Sequence, residues 1–149
     1  MFDLGDYLPY LINRAGSRLA VEFGREAQAH GIGIQEWRVL AALAAQGGQR
    51  LSDLASLTSI ELSTLSRLVA RMVQAGLVAR DRASGDKREI LVTLTPGGRR
   101  TTRSLIPVAR RHERIALRGL SEGEAQSLRH LLKRVYANLD GLRLDADTP

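Results

Sequence analysis

The 149-residue sequence predicts a mainly α-helical fold with one small β-hairpin, in a single domain that spans residues 1–149. Apolar side chains recur at three- and four-residue steps over most of the chain, which is the spacing of amphipathic helices. Between Gly76 and Pro96 this spacing gives way to two β-rich runs that flank a polar connection, which is typical of a hairpin. The length lies in the range of one domain and suffices for a buried core.

Four helices are expected before the hairpin. The first covers residues 8–29 and the second residues 35–45, each with an apolar stripe on one face. Ser52 is expected to cap a short third helix, because serine side chains accept hydrogen bonds from the free amides of a first helical turn. Ser63 is expected to cap the fourth helix in the same way, and Gly76 to end it.

Two further helices are expected after the hairpin, whose strands are predicted at residues 77–80 and 89–94. Pro96 suits the first turn of the fifth helix, which is expected to reach about residue 118. Pro107 removes a backbone donor in the middle of this helix, so that a bend at this position is one expectation.

The two terminal helices carry apolar stripes. The sixth helix is expected to begin at a capping box formed by Ser121 and Glu124 and to bury its stripe. The apolar surface of the first helix extends back to Phe2, Leu4 and Tyr7, which is more than a small domain needs and predicts a partner chain. The stripes consist of Leu8, Leu11, Ile12, Ala15, Leu19, Phe23 and Ala27 in the first helix and of Leu128, Leu131, Leu132, Val135 and Leu139 in the last.

The charge is distributed unevenly along the chain. The net charge is +6, and residues 94–118 carry seven arginines against one glutamate. A concentrated positive field of this kind suits a polyanion such as a nucleic acid. The alternative, a solvated helix face, stays open on charge alone.

Several classes of function are excluded or disfavoured. With 0 Cys, the chain has no disulfide, thiolate metal site or thiol redox switch. No apolar run reaches the length of about 18 residues that a membrane span needs, and no signal peptide is visible, so a cytoplasmic protein without a membrane partner is expected. His30, His112 and His130 are widely spaced, which argues against a metal site and a catalytic triad, and no glycine-rich phosphate loop occurs. We therefore predict no cofactor and no enzyme.

The element order predicts a winged helix-turn-helix, a short helix that braces a second helix for the major groove, followed by a hairpin wing. In the fourth helix, Arg67 is expected to contact a guanine edge and Arg71 the phosphate backbone. Hydroxyls at its start, together with the helix dipole, are expected to favour phosphate. The predicted inward face consists of Leu65, Leu68, Val69, Met72 and Val73, and the outward face, free of acidic groups, of Ser63, Thr64, Arg67, Ala70, Arg71 and Gln74.

The hairpin connection is a second candidate for DNA contact. It holds Arg82, Lys87 and Arg88 around a short turn that includes Asp86. An arginine at a hairpin tip can enter the minor groove, where narrow A·T stretches deepen the negative potential. The alternative is a surface turn with incidental charges.

Several of these stretches together resemble the MarR family of bacterial winged helix-turn-helix regulators, and the likeness extends over nearly the whole chain. The matching stretches are residues 36–40 (EWRVL), 63–69 (STLSRLV), 76–78 (GLV), 86–88 (DKR) and 94–98 (LTPGG).

The resemblance implies a homodimer in which residues 1–30 and 99–143 form the dimerisation helices and residues 35–98 the DNA-binding part. Such a dimer binds double-stranded DNA at a pseudo-palindromic operator, with half-sites roughly 34–36 Å apart. The family implies a repressor that leaves DNA when a small organic anion binds, here an aromatic acid or its thioester. An architectural DNA-binding protein without a ligand is the alternative function.

The resemblance also implies roles for particular residues. Arg88 would be the minor-groove arginine and Asp86 its orienting carboxylate, while Thr64, Ser66 and Arg67 would face the major groove or its phosphates. An effector cleft would be lined by Arg14, Arg18, Trp37, Arg111 and His112, an aromatic wall with several cations. The alternative for these side chains is structural: Trp37 in the core, His112 on a solvated helix face and Arg14 in a salt bridge.

Overall fold

The computed structural model describes residues 2–82 and 90–139, and confirms a mainly α-helical fold with one antiparallel hairpin. The chain divides into two compact units, residues 1–112 and residues 113–149. The elements are α1 (Leu8–Ala29), α2 (Ile34–Gln46), α3 (Leu51–Thr58), α4 (Leu62–Gln74), β1 (Val78–Arg82), β2 (Ile90–Leu94), α5 (Pro96–Ala116) and α6 (Glu122–Leu139).

The core of the first unit lies where α2, α3, α4 and the hairpin meet. Leu40, Leu54 and Leu65 are fully buried there, and Val78 and Val92 extend the same cluster from the two strands. Because each element supplies apolar side chains from one face only, the periodicity in the sequence is sufficient to place their buried sides.

The hairpin pairs in the register Val78↔Leu94 to Arg82↔Ile90. Gln49 adds a short antiparallel bridge: its N–H donates to the Val92 carbonyl at 3.0 Å, and the Val92 N–H donates back at 2.8 Å. The connection between the strands, with the predicted contact residues Asp86, Lys87 and Arg88, lies outside the described residues.

A tight joint connects the end of α4 to the start of α5. The Thr95 hydroxyl lies 2.6 Å from the Gly76 carbonyl, to which it donates, and it accepts from the Gly98 N–H at 2.9 Å. A Cβ on Gly98 would lie only 1.9 Å from the Leu77 carbonyl oxygen. Glycine is therefore required here for the close approach of two backbones.

The predicted N-caps at Ser52 and Ser63 are wrong. Arg50 is the N-cap of α3, and Ser52 lies inside its first turn. The N-cap of α4 is Glu61, whose backbone is extended and whose longer side chain reaches the free amides, while Ser63 is already helical. The capping box of α6 is confirmed: the Ser121 N–H donates to Glu124 at 2.7 Å, and the Glu124 N–H donates to the Ser121 hydroxyl at 3.3 Å.

The predicted burial of the α6 stripe is wrong for this single chain. Within α6 only Ala125 is buried, Val135 is half-buried, and Leu128, Leu131, Leu132 and Leu139 are exposed. The described part of the second unit contains α6 and the last residues of α5, which is too little to cover a stripe of this length. In the first unit, α1 likewise buries Phe23 and Ala27 but exposes Leu8, Leu11, Ile12 and Leu19, which fits the predicted excess of apolar surface.

Candidate nucleic-acid interface

The interface is built on α4, which is anchored by its apolar face. Leu65, Leu68, Val69 and Met72 each keep at most 2% of their surface exposed. The turn from α3 passes through Ser59, which is left-handed (φ 54°), and the buried Ile60. α3 adds Leu54 to the same core cluster, so that the two helices are held as one rigid pair.

The opposite face of α4 is exposed, largely as predicted. Arg67, Ala70, Arg71 and Gln74 are exposed, and Thr64 and Ser66 are half-buried. Neither arginine forms an ion pair with a residue that the structure describes. Val73 was predicted inside but is 38% exposed, because the seam formed by residues 65, 68, 69 and 72 leaves it at the edge of the stripe.

Glu61 changes the expected chemistry at the start of α4. Its carboxylate accepts from the Ser63 N–H at 2.9 Å and the Thr64 N–H at 3.0 Å, and also from the Ser63 hydroxyl. These hydrogen bonds, led by that of the Ser63 side chain, lower the pKa of Glu61 to about 2. The amides that were expected to favour phosphate at this helix end are thus occupied by the chain's own carboxylate at the N-cap, while α4 itself has no acidic residue.

The hairpin is fixed beside α4. The Leu77 N–H donates to the Met72 carbonyl at 2.9 Å, and the Arg80 guanidinium lies 3.5 Å from the Ser66 carbonyl oxygen, at the limit of a hydrogen bond. Across the strands, the Thr93 hydroxyl donates to Asp81 at 2.6 Å. The two strands therefore lie beside the helix, while the side chain of Arg82, a predicted DNA contact, lies outside the described part of the structure.

Three predicted effector residues, Trp37, Arg111 and His112, come together around Phe23 and Glu26. The Trp37 ring lies 5.1 Å from the Phe23 ring, and the His112 ring meets Phe23 edge-on at 6.0 Å. Nε2 of His112 lies 2.9 Å from Oε1 of Glu26, and Arg111 pairs with the same carboxylate. Hydrogen bonds from His112 and then Arg111 lower the pKa of Glu26. Both predicted α5 side chains thus contact the Glu26 carboxylate of α1.

The other two predicted effector residues have partners on their own helix. The Arg14 guanidinium lies 5.4 Å from the centre of the Tyr10 ring, and Arg18 forms a salt bridge with Glu22 at 3.2 Å. Both pairs lie along α1, and among the described residues no hydrogen bond or ion pair joins these arginines to the group around Phe23.

Comparisons with known proteins agree with this architecture. A family model described as MarR family matches residues 30–89, from the residue after α1 to the residue before β2. A MarR-family transcriptional regulator from Silicibacter pomeroyi, known from its crystal structure, is 32% identical; the match covers 97% of this chain and 96% of that one, with a TM-score of 0.83. The chain belongs to the MarR family.

Two further relatives extend the comparison of this MarR-family protein. The HTH-type transcriptional repressor IacR of Pseudomonas putida is 28% identical over 92% of this chain and 82% of its own. BpsR of Bordetella bronchiseptica, whose DNA binding is regulated by 6-hydroxynicotinic acid, is 27% identical over 88% of this chain and 99% of its own, with a TM-score of 0.77.

The structure of this MarR-family protein also contains open grooves beside α2, and two of them have Trp37 as a wall. The α2–α5 groove, of about 280 Å³, is almost wholly apolar and is lined by Trp37, Ile106, Ala109 and Arg110, among others. The α2–α3 groove is larger, about 490 Å³, and shares Trp37 as a wall. Neither groove has a local sequence pattern, because each is formed by helices whose contacts depend on the folded core.

No helix among residues 2–82 and 90–139 has the length and apolar character to cross a membrane.

Proposed function

We propose that this protein is a homodimeric repressor that binds a pseudo-palindromic operator and releases it when a small aromatic acid or its thioester binds. The observation that carries the proposal is the exposed face of α4. Its two arginines and small hydroxyls are presented by a helix whose other face is locked into the core.

The two arginines of α4 are assigned different contacts on DNA. Arg67 is assigned to a guanine edge, where a guanidinium donates two parallel hydrogen bonds, and Arg71 to the backbone. Because Glu61 occupies the first amides of the helix, phosphate contacts fall to arginine side chains and to Thr64 and Ser66 rather than to the helix end. The wing contribution of Arg82, Lys87 and Arg88, oriented by Asp86, rests on the family resemblance alone.

The dimer is supported by the apolar surface that each unit leaves exposed. In the first unit, Leu8 and Leu11 keep 53% and 44% of their surface exposed, and in the second, Leu131 and Leu139 keep 53% and 61%. Apolar surface of this extent usually marks an interface between chains. We therefore assign residues 1–30 and 99–143 to dimerisation and residues 35–98 to DNA binding.

The repressor assignment and the class of effector are supported by the relatives. IacR carries the name of a repressor, and the DNA binding of BpsR is regulated by an aromatic carboxylic acid. Among the predicted effector residues, Arg111 and His112 are paired with Glu26 and Arg18 with Glu22, so a ligand carboxylate would compete with these partners. Arg110, at the rim of the α2–α5 groove, is exposed and has no ion pair with a described residue.

The test is selection of duplexes from a random library by the full-length protein, followed by titration of the selected duplex and a scrambled duplex of equal composition. Arg67→Ala should weaken binding to the selected duplex by about 1–3 kcal/mol, roughly 5- to 150-fold. Arg25→Ala is the matched control, since it removes the same charge from a residue of α1 that pairs with Glu22.

The outcomes separate the two candidate functions. Equal affinity of the wild type for both duplexes would establish the architectural alternative and contradict the repressor. A reporter gene placed behind the selected operator then tests regulation, because repression requires lower expression with the protein and recovery on addition of the acid.

A further inference from the structure

We infer that the α2–α3 groove is a binding site for a small aromatic carboxylate, with Arg38 as the residue that holds the carboxylate. This inference rests on the proposed function and adds to it a ligand site within the helix-turn-helix itself. The groove is lined from α2 by Trp37, Arg38 and Gln46 and from α3 and its end by Leu57, Thr58 and Ser59.

The size of the groove matches a small ligand. Its volume of about 490 Å³ lies within the usual range for ligand sites, about 300–1,000 Å³. The room arises because the middle of the α2 wall is made by two small side chains, Ala41 and Ala42. Leu57, on the opposite wall, keeps 43% of its surface exposed although it is large and apolar.

Arg38 supplies a cation that no described carboxylate neutralises. Its side chain is exposed, and the acidic residue nearest in sequence, Glu36, is already committed: it accepts from the Gly33 N–H at 2.7 Å. A guanidinium matches a carboxylate with two parallel hydrogen bonds, which gives orientation as well as affinity. Arg38 thereby differs from Arg111 and Arg18, whose charges are paired within the protein.

The other walls favour an aromatic ring with a polar substituent. Trp37 is half-buried and supported from behind by Phe23, so its indole is a fixed wall beside the ring of a ligand. Gln46 lies eight residues beyond Arg38 along α2, about 12 Å at 1.5 Å per residue, and its amide can donate to or accept from a ring hydroxyl. The Thr58 hydroxyl is already engaged, since it donates to the Leu54 carbonyl at 2.7 Å.

The location gives the ligand direct influence on α4. The groove ends at Ser59, the left-handed residue at which the chain leaves α3 for the turn into α4. A ligand between α2 and α3 alters the packing of the helix that braces α4, without passing through α1 or α5. Occupancy is therefore expected to change operator affinity from inside the DNA-binding part.

Trp37 is the only tryptophan of the chain, so its fluorescence reports binding in either groove. The full-length protein is titrated with benzoate and with 4-hydroxybenzoate, and each affinity is confirmed by calorimetry. Arg38→Gln is expected to weaken binding about tenfold or more, the effect of losing a charge-assisted hydrogen bond. Arg110→Gln, which removes the equivalent charge from the α2–α5 groove, is expected to leave the affinity unchanged.

A second pair of variants keeps the test independent of charge. Ala42→Leu places a larger side chain in the wall of the α2–α3 groove and should abolish binding, whereas Ala44→Leu extends into the α2–α5 groove and should not. Thermal unfolding of each variant is used to check that the fold is retained, since Ala42 also packs against the core. Operator affinity of the wild type should fall when benzoate or 4-hydroxybenzoate is added, and that of Arg38→Gln should not.

Three results would overturn the inference. Weaker binding in Arg110→Gln but not in Arg38→Gln would place the ligand in the α2–α5 groove, and the proposed function would stand. If neither acid binds a protein that still selects an operator, the inference is contradicted and the proposed function is not. A protein that shows no preference among duplexes would instead contradict the proposed function.

Discussion

The helices α4 and α6 have similar amphipathic sequences but differ in how much of the apolar stripe is covered. α4 buries Leu65, Leu68, Val69 and Met72 within its own unit, whereas α6 buries only Ala125 and exposes all four of its leucines. The difference shows that an amphipathic pattern states which face is apolar and not what covers it. The α4 stripe serves the stability of one chain, and the α6 stripe is available for association.

Substitution of one leucine in each stripe should give the largest difference between the two helices. Leu68→Ala is expected to lower the free energy of unfolding by about 2–5 kcal/mol, because it leaves a cavity beside fully buried neighbours. Leu131→Ala, at a residue that is 53% exposed, should change protomer stability by less than about 0.5 kcal/mol. Urea unfolding at low protein concentration measures both.

The two leucine substitutions should affect dimer formation in the reverse order. Leu131→Ala is expected to shift the dimer dissociation constant upwards in sedimentation equilibrium, since apolar area buried between two chains is lost. Leu68→Ala at a temperature where it remains folded should leave that constant near the wild-type value. An unchanged dimer in Leu131→Ala, together with a large loss of protomer stability, would contradict the assignment of the α6 stripe to a partner.

This contrast also explains how far the sequence could predict the structure. The α4 faces were predictable because their spacing is local and the cluster they join is formed largely by adjacent elements. The cap of α4 was not, because Ser63 and Glu61 both offer oxygen acceptors and only the backbone decides which residue lies outside the first turn. The pairing of Glu26 with His112 joins residues 86 positions apart, and no local pattern indicates it.

Substitution of two glycines by alanine should give the next largest difference in stability. Gly98→Ala places a Cβ about 1.9 Å from the Leu77 carbonyl oxygen, so the joint between α4 and α5 must open, at an expected cost of about 1–3 kcal/mol. Gly123→Ala in α6 meets nothing within 4 Å and should stabilise the protein by about 0.5–1 kcal/mol through helix propensity. Thermal and urea unfolding measure both effects.

The joint has a second consequence for DNA binding. Because the Thr95 hydroxyl links the end of α4 to the start of α5, Gly98→Ala should also weaken operator binding at temperatures where the variant is folded. Gly123→Ala should bind DNA as the wild type does. Equal stability of the two variants would show that the backbones at residues 77 and 98 can separate without cost.

Substitution of the two glutamate caps is expected to give the smallest difference in stability. The difference should appear as a change in the pH dependence of unfolding. The pKa of Glu61 lies at about 2 in the folded protein against an ordinary value of 4.5, and the pKa of Glu124 is also lowered, chiefly by the Ser121 N–H. A carboxyl with a depressed pKa contributes stability above its unfolded pKa, and that contribution disappears as the pH falls through the folded value. For Glu61 the window therefore runs from about pH 4.5 down to about pH 2.

Glu61→Gln should remove this part of the acid dependence of unfolding and leave the rest of the profile parallel to that of the wild type. Glu124→Gln is the matched control, because it removes the same kind of cap from α6, away from the helix-turn-helix. Both variants are followed by urea unfolding across the pH series. Only Glu61→Gln is expected to alter operator binding as well, since it removes a fixed negative charge from the start of the helix assigned to the major groove. Identical DNA affinity for both variants would mean that the start of α4 does not approach the duplex.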